Sequence, residues 1–187
     1  MVRWEADAGG RLREAAMQLY LERGFEQTTV AEIAARAGLT ARTFFRYFAD
    51  KREVLFAGSA ALEEQLVHAL ETAPASATPL QAVSAALDAA AATLGQHPEH
   101  SRARQTVINA NANLQERELI KMASLSAALA NGLRRRGVPD PDAGLAAEAG
   151  IVVLRVAFER WVSEAHGPDL SQYMSEALDR LKNLTAA

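Results

Sequence analysis

The chain has 187 residues, a formal net charge of −3 at pH 7 and no cysteine. That length allows one large domain or two small ones, and a hydrophobic content of 49% suffices to bury a sizeable core. The lack of cysteine excludes disulfides, thiol nucleophiles and cysteine-based zinc sites, and suits a reducing cytoplasm. No charged-then-apolar signal pattern opens the chain. The most apolar run, residues 143–158, contains Glu148 and Arg155 and is too short and too charged for a membrane span. Abundant alanine, sparse β-branched residues and sustained helical periodicity predict an all-α, cytoplasmic protein of about nine helices.

Charge is unevenly distributed. Residues 28–52 hold Arg36, Arg42, Arg46, Lys51 and Arg52 against Glu32 and Asp50. Residues 1–57 carry nine basic and eight acidic side chains, whereas the remainder carries eleven basic and fifteen acidic ones. An acidic chain with a local basic patch is compatible with nucleic-acid binding, because contact is made by the patch.

In chain order, residues 1–9 read as a frayed tail, with Arg3 and Trp4 as candidates for a minor-groove arm. A first helix is expected over residues 10–23, with Leu12, Ala15, Ala16 and Leu19 inward. Gly24 stops it, and Phe25 folds back as a core plug. Thr29 and Glu32 form a capping box for a second helix, whose inner face is Val30, Ile33, Ala34 and Ala37. Gly38 supplies the positive φ of a tight corner, and Thr40 N-caps a third helix over residues 41–47. That helix has Phe44 and Phe48 on its inner side and Arg42, Thr43, Phe45, Arg46 and Tyr47 outside. A short helix with such an outer face fits a DNA major groove.

A fourth helix is expected over residues 51–72, capped by Asp50 with Glu53 and buried along Val54, Leu55, Leu62, Leu66 and Ala69. At ~1.5 Å per residue it would run about 30 Å. Residues 73–77 are a composition break. Thr78, Pro79 and Gln81 open a fifth helix with Leu80, Val83, Leu87 and Leu94 inward, ended by Gly95. His97-Pro98 starts a sixth, and the polar stretch 109–113 precedes a seventh over residues 115–136. The inner positions of the seventh are Leu119, Met122, Leu125 or Ser126, Leu129 and Leu133. The Arg134-Arg135-Arg136 run closes it where cations suit the helix dipole. Asp140 and Pro141 open an eighth helix reaching about residue 166, apolar nearly all round and so expected to be buried on several sides. Gly167-Pro168 breaks it, and Asp169 caps a ninth. The expected organisation is a DNA-binding head over residues 1–55 and a ligand-binding and dimerisation domain over residues 56–187.

The run Gly38-Leu39-Thr40-Ala41-Arg42-Thr43-Phe44-Phe45-Arg46-Tyr47-Phe48-Ala49-Asp50-Lys51, followed by Glu53 and Leu55, resembles the helix-turn-helix signature of TetR-family transcriptional regulators. The upstream Gly24-Phe25 and Thr28-Thr29-Val30, with Ile33-Ala34, fit as well. The Arg-Thr-Phe-Phe-Arg-Tyr-Phe run and the Trp161-bearing helix look like an actinobacterial subgroup with acyl-CoA-type effectors. The resemblance implies a homodimer built through the last two helices, two reading helices in successive major grooves of a palindromic operator, and a small-molecule effector pocket in the C-terminal domain. By position it implies that Ala41, Arg42 and Thr43 face bases, and that Phe45, Tyr47 and Lys51 lie at phosphates. Phe45 stands where the family usually has tyrosine, so no phenolic hydrogen bond is available there.

Arg42 is the expected base reader, since arginine pairs bidentately with guanine. Arg46 is an equal candidate for base or phosphate, and Thr29, Thr40 and Lys51 complete the DNA-binding set. Candidate ligand-lining residues are Arg104, Asn109, Asn113, Met122, Arg155, Phe158 and Trp161, because effector cavities are mostly apolar with a few polar groups. His97 and His100 flank Pro98 without a further ligand nearby, so no metal or cofactor is expected. The reading is a ligand-responsive repressor; the alternative is an effector-independent architectural or cell-division DNA-binding protein of the same fold. No nucleophile–base pair or phosphate loop stands out, and the protein is not expected to be an enzyme.

Overall fold

The computed structural model describes residues 7–185. Among these the chain is all-α: α1 (Ala8–Arg23), α2 (Val30–Arg36), α3 (Ala41–Tyr47), a 3₁₀ turn (Glu53–Phe56), α4 (Ser59–Thr72), α5 (Pro79–Leu94), α6 (Pro98–Asn109), α7 (Ala112–Arg135), α8 (Asp140–Ser163) and α9 (Leu170–Thr185). The expected arm residues Arg3 and Trp4 lie outside the described residues. The expected tail does not extend to residue 9. Asp7 accepts the Gly10 N–H, and helix begins at Ala8, which is buried.

The chain divides into two compact units. The head comprises the chain up to Gly58 together with Ala103–Glu116, which is the end of α6 and the start of α7. Its core joins Leu12, Leu19, Ile33, Phe44 and Phe48 to Val54, Leu55 and Phe56, and to Val107, Ile108 and Leu114 from the α6–α7 corner. The Asn-rich stretch is the turn of that corner: Asn111 donates through Nδ2 to the Glu26 carboxylate at 2.8 Å.

The expected continuous helix over residues 51–72 is broken. Val54, Leu55 and Phe56 are consecutive, all buried, and lie in a 3₁₀ turn. Arg104 Nε donates to the Leu55 carbonyl at 2.8 Å and its guanidinium lies over the Phe56 ring. The turn therefore has its own partners and does not need to continue as helix. The remaining α4 has 14 residues, or about 21 Å at ~1.5 Å each.

The second unit comprises Ser59–Arg102 and Arg117–Ala187. Its core runs along Leu66 and Leu70 of α4, Val83 and Leu87 of α5, Leu125, Leu129 and Leu133 of α7, Leu154 and Trp161 of α8, and Tyr173 and Leu178 of α9. The Thr78–Gln81 capping box and N1 proline that open α5 are as expected. The triple-arginine run is consumed at its helix end. Arg134 pairs with Asp140, Arg135 with Glu71, and Arg136 donates to the Glu71, Ala73 and Pro74 carbonyls at 3.0, 2.8 and 2.7 Å.

One expectation of burial fails here. Leu119 is 61% exposed, because the α7 residues that enter this core follow the Leu125–Leu129–Leu133 stripe. In α8, which packs on both α5 and α9, Leu145, Val152 and Val156 form an exposed stripe opposite Ala143, Ala147, Val153, Leu154 and Ala157. On the inner side Gly150 meets α5, where an added Cβ would fall 2.5 Å from Val83 Cγ1. Gly150→Ala is expected to destabilise the protein by about 1–3 kcal/mol through overpacking, read as a lower midpoint in urea unfolding; an unchanged midpoint would show that α5 and α8 separate freely.

Candidate nucleic-acid interface

A helix of seven residues forms no stable structure alone, so α3 is shaped by its surroundings. At its start, Thr40 Oγ1 accepts the Thr43 N–H at 3.2 Å and lies 3.1 Å from Thr43 Oγ1. Before it, Gly38 has φ +67°, a region open to glycine, and the Leu39 N–H donates to the Ala34 carbonyl at 2.8 Å. Arg11 Nη1 ties the same corner through the Ala37 carbonyl. Below, Phe44 is fully buried with its ring centroid 5.4 Å from that of Phe48.

The outer face is then Ala41, Arg42, Phe45, Arg46 and Tyr47, all exposed, with Thr43 half-buried. Phe45 is 58% exposed and held edge-on against Phe44 at 5.5 Å. The Arg46 guanidinium lies 5.1 Å from the Tyr47 ring centroid and donates to its hydroxyl at 3.3 Å.

Two of the arginines in residues 28–52 are paired within the head. Arg36 pairs with Glu22 at 2.8 Å and Arg52 with Asp50 at 2.6 Å, while Arg23 outside that segment takes Glu32 at 2.7 Å. Arg52, together with backbone N–H groups of Glu53 and Arg52, holds the Asp50 carboxyl below its usual range. Arg42 is different: among the described residues its guanidinium has no hydrogen bond or ion pair, and it is exposed on the second residue of α3.

Lys51 and Thr29 are both engaged inside the head. The Lys51 ammonium donates to the carbonyls of Phe25, Glu26 and Thr28 at 2.8, 3.3 and 2.9 Å, and sits 4.3 Å from the Phe25 ring centroid. Its own carbonyl accepts the Tyr20 hydroxyl at 2.7 Å. Burial pushes the Tyr20 hydroxyl pKa up, with the Asp50 charge adding to it, so this donor keeps its proton. Thr29 Oγ1 accepts the Glu32 N–H and donates to the Glu32 carboxylate at 2.8 Å, leaving the capping box closed. Three backbone carbonyls converging on one ammonium leave no mark in sequence, where Lys51 is expected at a phosphate.

The seven ligand candidates are not brought together. Arg104, Asn109 and Asn113 belong to the head. Arg104 closes the 3₁₀ turn, Asn109 accepts from Gln105 Nε2 at 3.0 Å through its side chain and from Gln115 through its carbonyl, and Asn113 is exposed. Arg155 is exposed on the outer side of α8. Trp161 is buried, with Met122 and Phe158 half-buried against the same core and the Phe158 and Trp161 rings 5.6 Å apart. The head's share of α6 and α7 escaped the sequence reading, although Val107, Ile108 and Leu114 flanking the polar turn are the apolar signal for it.

Replacing Lys51 by methionine removes charged hydrogen bonds to three carbonyls and should lower head stability by about 2–3 kcal/mol. Thermal melting and the salt dependence of DNA binding check this together. An unchanged melt with a salt slope reduced by about one would instead assign Lys51 to a phosphate.

The family model for bacterial regulatory proteins of the tetR family matches residues 12–57, and that for the MftR C-terminal domain matches residues 77–185. The HTH-type transcriptional regulator TcmR of Streptomyces glaucescens is 44% identical over 79 residues, an alignment covering 42% of this chain and 35% of TcmR. Among solved structures, SmeT in complex with triclosan superposes with a TM-score of 0.69 at 22% identity, covering 95% of this chain and 90% of that one. FadR from Thermus thermophilus in complex with lauroyl-CoA superposes with a TM-score of 0.57 at 24% identity, covering 93% of each chain. With the helix-turn-helix model on the head and the second model on more than half of the chain, the protein belongs to the TetR family of DNA-binding transcriptional regulators and is not an enzyme.

Proposed function

We propose that the protein is a cytoplasmic, ligand-responsive repressor that binds a palindromic operator as a homodimer and is released by a small, largely apolar effector. The observation that carries the DNA-reading half is the unpartnered, exposed Arg42 on α3, in a head where Arg23, Arg36, Lys51 and Arg52 are already engaged. Arg42 reads a base, with Thr40, Ala41 and Thr43 lining the same edge. Phe45, apolar and fixed edge-on, takes a thymine methyl or a sugar. Arg46 and Tyr47 lie beside the backbone.

Dimerisation through α8 and α9 is supported by the exposed Leu145–Val152–Val156 stripe, since an apolar face of that kind asks for a partner surface. Two copies of α3 would then meet major grooves about 34–36 Å apart. For the effector, the apolar ligands named for SmeT and FadR, triclosan and lauroyl-CoA, agree in character with the side chains around Met122, Phe158 and Trp161. An acyl chain would enter beside these. The effector must favour the conformation that does not bind DNA, or no release follows. The close filling of that core by Trp161, Leu125, Leu129 and Leu154 favours a second reading, the effector-independent DNA-binding protein.

A gel shift on the DNA upstream of the protein's own gene, against a scrambled duplex, is expected to show preferential binding that lauroyl-CoA relieves. Equal binding to both duplexes overturns the regulator's specificity; selective binding indifferent to lauroyl-CoA and to triclosan favours the second reading. Arg42→Ala should cost about 1–3 kcal/mol on the preferred site and relax preference at one base pair per half-site, with the slope against salt unchanged, as a base-substitution series would reveal.

A further inference from the structure

Lys51 and Thr29 are both engaged within the head, and a further exposed cation lies on α1. Arg13 on α1 is exposed and, among the described residues, has no hydrogen bond or ion pair. It lies one helical turn beyond Gly9. A methyl group placed at Gly9 would sit 3.4 Å from Tyr47 Cδ1 and 3.8 Å from Arg13 Nη1, so the Tyr47 ring and the Arg13 guanidinium flank the same bare spot on α1. On its other side Tyr47 carries Arg46, which donates to its hydroxyl at 3.3 Å and lies 5.1 Å from its ring centroid. The Tyr47 oxygen is thus used as an acceptor, and its own O–H proton remains to be donated. Of the acids at this end of α1, Asp7 accepts the Gly10 N–H as N-cap and Glu14 accepts from Gln18 Nε2 at 3.4 Å.

We propose that Arg13, Arg46 and the Tyr47 hydroxyl form one clamp for a single DNA backbone phosphate, built across α1 and the end of α3, with Arg13 as its unassigned member. Two guanidiniums and a phenolic O–H are a donor set suited to a phosphodiester. Gly9 matters because its lack of a side chain lets the tyrosine lie against α1 and brings the two arginines to one place. The inference rests on the protein binding DNA and leaves the identity of its operator open.

The test is the slope of log K against log salt, measured for the full-length protein on its upstream duplex and on a scrambled one. Loss of one phosphate contact lowers the slope by about 0.9. Arg13→Ala, present twice in the dimer, is therefore expected to lower the slope by about 1.8 and to lose about 12-fold less affinity than wild type between 50 and 200 mM salt, equally on both duplexes, with base preference and melting temperature unchanged. Arg13→Lys should restore the slope. Tyr47→Phe, which removes a donor but no charge, should weaken both duplexes alike and keep the wild-type slope. Methylphosphonate substitution at one phosphate per half-site should weaken wild type strongly and Arg13→Ala less, because Arg46 and Tyr47 still meet that phosphate in the variant. An unaltered slope in Arg13→Ala overturns the clamp. The scrambled duplex gives this answer even where the upstream duplex shows no selectivity, so the clamp and the operator reading fail separately.

Discussion

Seven residues of helix cannot hold themselves together in water, and α3 has seven. Everything nearby makes up for that shortness. Phe44 has no exposed surface and puts the helix on the core. Gly38 turns the backbone through a conformation that a side chain would resist, and Thr40 closes the first turn. Tyr20 and Lys51 work from opposite sides of one backbone stretch, the tyrosine donating to the lysine's carbonyl while the lysine's ammonium gathers carbonyls of residues 25–28. The α6–α7 corner adds Val107, Ile108 and Leu114 to the same core. Remove any of these and the helix keeps its sequence but loses its seat.

Local signals were legible where one residue type has one job. The capping boxes at Thr29 and Thr78, the glycine at 38 and the inner phenylalanines all stand where periodicity and turn chemistry put them. Less legible was whatever depends on partners distant in sequence. The 3₁₀ turn reads as helix because Val54 and Leu55 fit a helical stripe; only Arg104, 49 positions away from Leu55, gives that carbonyl another partner. Leu119 fits a heptad-like stripe along α7, yet the core is met farther along by Leu125, Leu129 and Leu133. The partners of Lys51 are hidden for a similar reason: backbone carbonyls are invisible in sequence, and three of them hold its ammonium.

The C-terminal unit shows a different economy. Its small residues set how closely helices approach, as Gly150 does against Val83, and its larger ones fill the space that remains. Some of its polar groups serve helix ends, where Arg136 donates to carbonyls at and just after the end of α4, and buried Ser126 donates to Glu148 between α7 and α8. Within such a unit, polar residues on the helices are weak guides to a ligand, and Arg155, exposed on α8, is an example. The apolar group of Met122, Phe158 and Trp161 is a more coherent guide because all three belong to one core, with the Phe158 and Trp161 rings in contact.

Apart from Thr40, which caps the helix and is itself exposed, the anchors of α3 are distinct from its outward side chains. Phe44, Phe48 and Thr40 hold the helix, while Arg42, Phe45 and Arg46 project from it. Exposed positions of this kind usually tolerate substitution within about 0.5 kcal/mol. The lettering on the outer face can therefore be rewritten, by divergence or by engineering, on a scaffold that does not register the change.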